Sequence, residues 1–222
     1  MFLKTSELKK VMRSSLKSKG LTVGNIDGRY LVYCDFWGVC VNAVYAPNKF
    51  KATIMELIGD LPEDGECSRY SISRDKEIEW KRVSHIPAPF EDWKAAMDYA
   101  AMTPLSLTVW PHEYIIFQKK SDLGFLVADR NLTGKMISPS ELDQSLESMP
   151  ERPSVLGGTV LYFKNETTIY WARAESCGER AESVLFPRLY GIDFFESDWI
   201  LKGDREMGEQ EEEAAGEERL PY

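Results

Sequence analysis

The sequence has 222 residues, carries a formal net charge of −9, and is 43 % hydrophobic and 28 % charged. A chain of this length forms one large domain or two small ones, and its near-average composition excludes a fibrous or wholly disordered protein. Residues 203–222 carry eight acids against two arginines, a net charge of −6, so residues 1–202 carry only −3. We therefore predict a nearly neutral folded body followed by an acidic, disordered tail over 203–222.

Signals for membrane insertion or secretion are not found in the sequence. No stretch approaches the roughly 18 to 20 consecutive apolar residues of a membrane span, and the first residues enter a charged segment without an apolar signal-peptide region. The four cysteines are scattered and form no C-x-x-C pair, which is typical of free thiols in a reducing compartment. We expect a cytoplasmic protein that does not bind membranes. The cysteines are Cys34, Cys40, Cys67 and Cys177.

The first 86 residues alternate between helical and strand patterns. Apolar residues at three- and four-residue spacing predict a helix that begins at Thr5 or Ser6 and ends near Gly20. The pair Asp27 and Gly28 predicts a hairpin between two strands, and a third strand follows from alternating apolar residues. A second helix is predicted from Asn48 to Gly59, followed by two more strands.

The same order of elements starts again after Pro87. A helix is predicted over 90–102, followed by strands around 105–109, 114–117 and 124–128. Residues 138–141 form a capping box with proline at the first helical position, which predicts another helix. Two strands are predicted over 155–163 and 167–174, so both halves give a helix, three strands, a helix and two strands.

The two halves also share residues. The tripeptide Leu-Thr-Val occurs at 21–23 and 107–109, and Tyr30-Leu-Val-Tyr33 corresponds to Tyr114-Ile-Ile-Phe117. Chance similarity between ordinary strand sequences is the alternative to a duplication. An internal repeat indicates that each copy forms its own structural unit. We therefore predict an α+β protein of two tandem related units, each with two helices packed on an antiparallel β-sheet. The units are 1–86 and 87–176, followed by a closing segment over 177–202.

The element order, which opens with Met1-Phe-Leu-Lys4 and then the helix containing Ser6-Glu-Leu-Lys-Lys-Val-Met12, resembles that of the sliding DNA clamps, the processivity factors of polymerases. The resemblance covers roughly residues 1 to 175 and includes no diagnostic motif. It implies a clamp-like fold and a non-enzymatic DNA-associated protein, such as a replication or processivity accessory factor of a phage or mobile element. It also implies an oligomer that can enclose DNA.

The charge of the first helix is consistent with contact to DNA phosphates, which requires Lys and Arg but no reading of bases. Residues 1–20 carry six cations against Glu7, whereas the predicted helices of the second unit are acidic. Either only the first unit contacts nucleic acid, or the fold is clamp-like without that function; a merely solvated basic helix face is a further interpretation. The predicted residues for duplex DNA binding are Lys9, Lys10, Arg13, Lys17, Lys49 and Lys51.

Residues 189–200 combine aromatic and acidic side chains just before the tail. Aromatic anchors rimmed by charge are typical of a partner-docking segment, although the sequence favours a last element that seals the core. The alternative function is a protein-interaction module of the same fold, which holds a basic partner through this segment and the acidic tail and does not bind DNA. The partner-binding candidates are Tyr190, Phe194, Phe195 and Trp199.

Catalytic and cofactor motifs are absent from the sequence. It contains two histidines, His85 and His112, without carboxylates at a spacing typical of a metal site or a proton relay. It has no dinucleotide-binding glycine motif, no P-loop and no nucleophile elbow. We expect a protein without enzymatic activity, cofactor or metal.

Overall fold

A computed structural model describes residues 1–142 and 153–195 of the chain, which contain four α-helices and one 3-10 turn. The helices are α1 (Thr5–Ser18), α2 (Asn48–Ile58), α3 (Pro89–Ala95) and α4 (Glu179–Leu189), and the 3-10 turn is Pro139–Glu141.

The strands of the described ranges form one antiparallel sheet in the order β5-β4-β1-β2-β3-β11-β10-β9-β6-β7-β8. They are β1 (Leu21–Ile26), β2 (Arg29–Tyr33), β3 (Trp37–Asn42), β4 (Glu66–Ile72), β5 (Ile78–Arg82), β6 (Asp98–Val109), β7 (His112–Lys119), β8 (Phe125–Asp129), β9 (Ser154–Leu156), β10 (Val160–Asn165) and β11 (Thr168–Arg173).

This continuous sheet shows that the predicted fold of two tandem units, each with two helices on its own sheet, is wrong. β11 pairs with β3 from Thr168 opposite Val41 to Ala172 opposite Trp37, so strands of the two predicted units share one sheet. The first half carries two helices, but between residues 87 and 176 the described residues contain only the short α3 and the 3-10 turn. The fold is dominated by its sheet.

The error arises in the second half, where neither of the two predicted helices is seen at its predicted length among the described residues. The predicted helix over 90–102 ends with α3 at Ala95, because residues from Asp98 onwards pair with β9 and β7 as β6. Strand pairing thus overrides the helix preference of the alanines in this stretch. The capping box at 138–141 forms the 3-10 turn, and most of the helix expected after it lies outside the described residues.

The predicted unit boundaries fall between elements of the sheet. Position 86 lies between β5 and α3, and position 176 lies between β11 and α4. These boundaries stay predictions, and the tail over 203–222 lies outside the described residues.

The elements of the first half form where the sequence predicts them. α1 buries Leu8, Met12 and Leu16 along one face. Asp27 and Gly28 both adopt positive φ, 50° and 70°, in the turn between β1 and β2, as expected of a tight hairpin of this type. The hairpin prediction is confirmed.

The main core lies between the sheet and the layer formed by α1, α2 and residues 130–142. Met12, Ile54 and Met136 are fully buried there in the same cluster as Tyr170 of β11. The Tyr170 hydroxyl donates a hydrogen bond to the Leu132 carbonyl at 2.7 Å. This core leaves the opposite side of both helices free to face solvent.

The other face of the sheet is covered by α3 over its middle strands and by α4 over its β6–β8 end. Tyr162 of β10 contacts Asp92 of α3. Leu185 of α4 packs on a smaller apolar cluster that contains Ile116 and Phe125. α4 and α1 therefore belong to different surfaces of the molecule.

Candidate nucleic-acid interface

The solvent side of α1 is a stripe of cations and hydroxyl groups. The helix buries Leu8, Met12 and Leu16, so helical periodicity turns the residues between them outward. None of the exposed residues of α1 is acidic, since Glu7, its one acid, is half-buried. The exposed residues are Ser6, Lys10, Arg13, Ser14, Lys17 and Ser18.

α2 lies beside α1, and Glu56 near its end joins the two helices. The Glu56 carboxylate accepts hydrogen bonds from the ammonium group of Lys9 and the guanidinium group of Arg13. These bonds, with that of Lys9 the larger influence, hold the pKa of Glu56 below its usual value. Two cations of the predicted DNA site therefore share one carboxylate.

All six predicted DNA-binding residues lie on these two adjacent helices, but they differ in their partners. Lys10 forms an ion pair with Glu7 at 2.8 Å, and the Lys51 ammonium lies 5.8 Å from the centre of the Tyr30 ring. Lys17 and Lys49 are exposed and form no ion pair within residues 1–142 and 153–195. Together with the carboxylates of Glu7 and Glu56, the six cations give a net charge of +4. We call the surface formed by these six cations and two acids the α1–α2 face.

The sequence reasoning missed the serines of the exposed stripe. Ser14 stands one residue after Arg13, and Ser6 lies four residues before Lys10. Hydroxyl groups are common donors to DNA phosphates, together with Lys and Arg. The helical spacing that identified the cations would also have identified these serines.

One side of α1 borders an acidic cavity of about 540 Å³. Its far wall contains Asp129 and Glu175, together with His112. Burial, followed by the nearby charge of Asp129, raises the pKa of Glu175. Within the described residues, no group of three or more His, Cys, Asp or Glu side chains is arranged to hold a metal ion.

The predicted partner-binding residues lie far from α1 in the sequence and have different environments. Phe194 is buried against Phe125, and its backbone N–H donates to the Gln118 side-chain oxygen at 2.8 Å. Phe195 packs edge-on against Tyr99, whereas Tyr190 is mostly exposed. Trp199 lies outside the described residues, and partner binding by this segment stays a prediction.

Comparison with known proteins finds similarity only to solved structures, at low sequence identity. No protein-family model matches the sequence, and no curated protein is similar to it. Among solved structures, the chain is similar to the Helicobacter pylori beta clamp in complex with 3,4-difluorobenzamide, with 7 % identity and a TM-score of 0.32. The match covers 82 % of this chain and 66 % of that chain. A TM-score this low does not indicate a shared function.

Residues 1–142 and 153–195 contain no helix long and apolar enough to cross a membrane.

Proposed function

We propose that the chain is a non-enzymatic DNA-associated protein that holds duplex DNA by its phosphates on the α1–α2 face. The observation that carries the proposal is the exposed side of α1, where Lys10, Arg13 and Lys17 stand among serines without an exposed acid. Such a surface offers charged and neutral donors to phosphate oxygens, and the two acids beside it, Glu7 and Glu56, are each bonded to a cation of the same surface. Contacts of this kind do not depend on base sequence.

The spacing of the cations fits a run of phosphates. Lys10 and Lys17 are seven residues apart, which is about 10 Å along a helix that rises about 1.5 Å per residue. One DNA strand carries a phosphate about every 3.4 Å of helix axis. Because the strand winds around the axis, its neighbouring phosphates lie farther apart than this axial rise, so the stripe reaches about two or three phosphates, and Lys49 of α2 extends the contact sideways.

A narrower role within this proposal is that of a replication or processivity accessory factor of a phage or mobile element. Its support is the order of the elements in the first half, a helix, three strands, a helix and two strands. A factor that encloses DNA has to form a ring, and a single chain of this size cannot do so. Measuring the mass in solution tests this role: an oligomer is expected, and a stable monomer contradicts it.

DNA binding is tested by removing the cations of the exposed stripe. The variant Lys10→Ala/Arg13→Ala/Lys17→Ala should bind a fluorescent 20-base-pair duplex at least about tenfold more weakly than wild type, because three phosphate contacts are lost. The matched control Arg74→Ala/Arg82→Ala/Lys94→Ala removes the same charge from exposed residues outside α1 and α2. It should weaken binding much less.

Two outcomes contradict the proposal. If both triple variants weaken binding equally, the interaction depends on net charge and not on the α1–α2 face. If wild type does not bind the duplex even at low salt, the protein-interaction module becomes the better explanation.

A further inference from the structure

The second apolar cluster leaves an open groove between α4 and β6. The groove has a volume of about 750 Å³, which lies in the usual range of ligand pockets. Leu107 and Val109 of β6 form one wall, and Ala181 and Leu185 of α4 lie opposite. Apolar side chains here remain in water, since Val184 at the rim is 51 % exposed.

One edge of β6 beside this groove is open to pairing. β9 pairs with β6 at Asp98 and Tyr99, and the Ala100 N–H bonds to the Pro153 carbonyl. Further along, residues 106–109 of β6 pair with β7 on one side, and no described strand pairs with their other side. An open strand edge is a template for an added strand.

The α4 rim of the groove carries two exposed arginines. Arg180, Val184 and Arg188 follow one another at four-residue spacing, so they lie along one line of the helix. Neither arginine forms an ion pair within the described part of the chain; of the two acids in the first turn of α4, Glu179 lines the groove, and Glu182 accepts a hydrogen bond from the Cys177 N–H. The two arginines are about 12 Å apart along the helix, close to the length of four extended residues.

We propose that the groove between α4 and β6 binds an extended segment of a partner protein, which adds a strand to the open edge of β6. The segment has the pattern acidic–x–apolar–x–acidic, in which x is any residue. In an extended strand alternate side chains share a face, so this pattern places the acids at Arg180 and Arg188 and the apolar side chain over Val184. Charge complementarity to these two exposed arginines selects an acidic partner.

Phage-displayed random twelve-residue peptides, selected on the full-length protein, provide the test. We expect enrichment of peptides with the acid–apolar–acid alternation. A synthetic enriched peptide should bind the Val184→Asp variant at least about tenfold more weakly, because the new carboxylate faces both an apolar side chain and the peptide acids. Methylation of the peptide backbone nitrogens on its pairing edge should weaken binding similarly, since an added strand depends on backbone hydrogen bonds.

The matched control is Val44→Asp, which introduces the same change at an 82 % exposed valine outside the groove. It should bind the peptide like wild type, as should the Lys10→Ala/Arg13→Ala/Lys17→Ala variant. The proposal is wrong if no peptides are enriched, if they are basic, or if both aspartate variants bind equally. It is also wrong if Val184→Asp dissociates a dimer, or if only a peptide of residues 196–222 binds, because the occupant is then a second copy or the chain itself.

Discussion

Glu56 limits the positive charge of the α1–α2 face, because its carboxylate bonds to both Lys9 and Arg13. The Glu56→Gln variant removes this charge and releases the two cations toward phosphate. We expect DNA affinity to rise about threefold or more, the effect of one unit charge a few ångströms from a phosphate in water. Fluorescence anisotropy at fixed salt measures the change. The control Glu79→Gln, an exposed acid on β5, should have a smaller effect; an equal effect would contradict a local role for Glu56.

Gly38 is required by the Trp171 indole, which lies over it on the neighbouring strand. A Cβ at residue 38 would overlap with the ring carbon Cζ2 of Trp171. Gly38→Ala should therefore lower the free energy of unfolding by about 1–3 kcal/mol, the usual effect of overpacking. Urea unfolding measures this loss. In a Trp171→Ala background the same substitution should have a much smaller effect; an unchanged loss would contradict the steric cause.

Just after β11, the chain pairs with the edge strand β8 through Glu175. Glu175 forms a backbone bridge to Val127, and burial and Asp129 raise the pKa of its carboxyl. A raised folded-state pKa means that stability is lost as pH rises from about 4.5, the unperturbed value, through the folded value. Glu175→Gln should therefore raise the free energy of unfolding at pH 7, and the gain should be much smaller at pH 4, below the unperturbed value.

Urea unfolding at pH 4 and pH 7 measures this difference. The exposed acid Glu179 provides the control variant Glu179→Gln, which should change the free energy of unfolding less at pH 7. A Glu175→Gln variant that is less stable than wild type at pH 7 would contradict the electrostatic interpretation.

The elements that the sequence predicts well are those whose patterns are local. The spacing of Leu8, Met12 and Leu16 predicts the helix α1. It also predicts that the cations at the remaining positions face solvent. The sequence does not reveal that Glu56, more than 40 residues from Lys9 and Arg13, neutralises part of their charge. That contact depends on how α1 and α2 pack, which no local pattern encodes.

For the molecule as a whole, the sequence similarity between the halves led to the wrong architecture. The strands around Leu21 and Leu107 form where the sequence predicts them, and β1 pairs with β2 as expected, but the pairing that joins the two halves is not predicted. β11 pairs with β3, more than 120 residues earlier, and this pairing makes one sheet from both halves. The α4–β6 groove was missed for the same reason, because its walls come from strands and helices that are distant in the sequence.

The dependence of DNA affinity on salt tests the central proposal most directly. Lys10, Lys17 and Lys49 give about three phosphate contacts, and Arg13, which Glu56 partly neutralises, gives at most one more; each contact contributes about −0.9 to the slope of log K against log salt concentration. We predict a slope of about −3 to −4 for wild type, reduced in magnitude by about 2 to 3 in Lys10→Ala/Arg13→Ala/Lys17→Ala. A wild-type slope indistinguishable from zero, or an equal slope in that variant, would contradict DNA binding by the α1–α2 face.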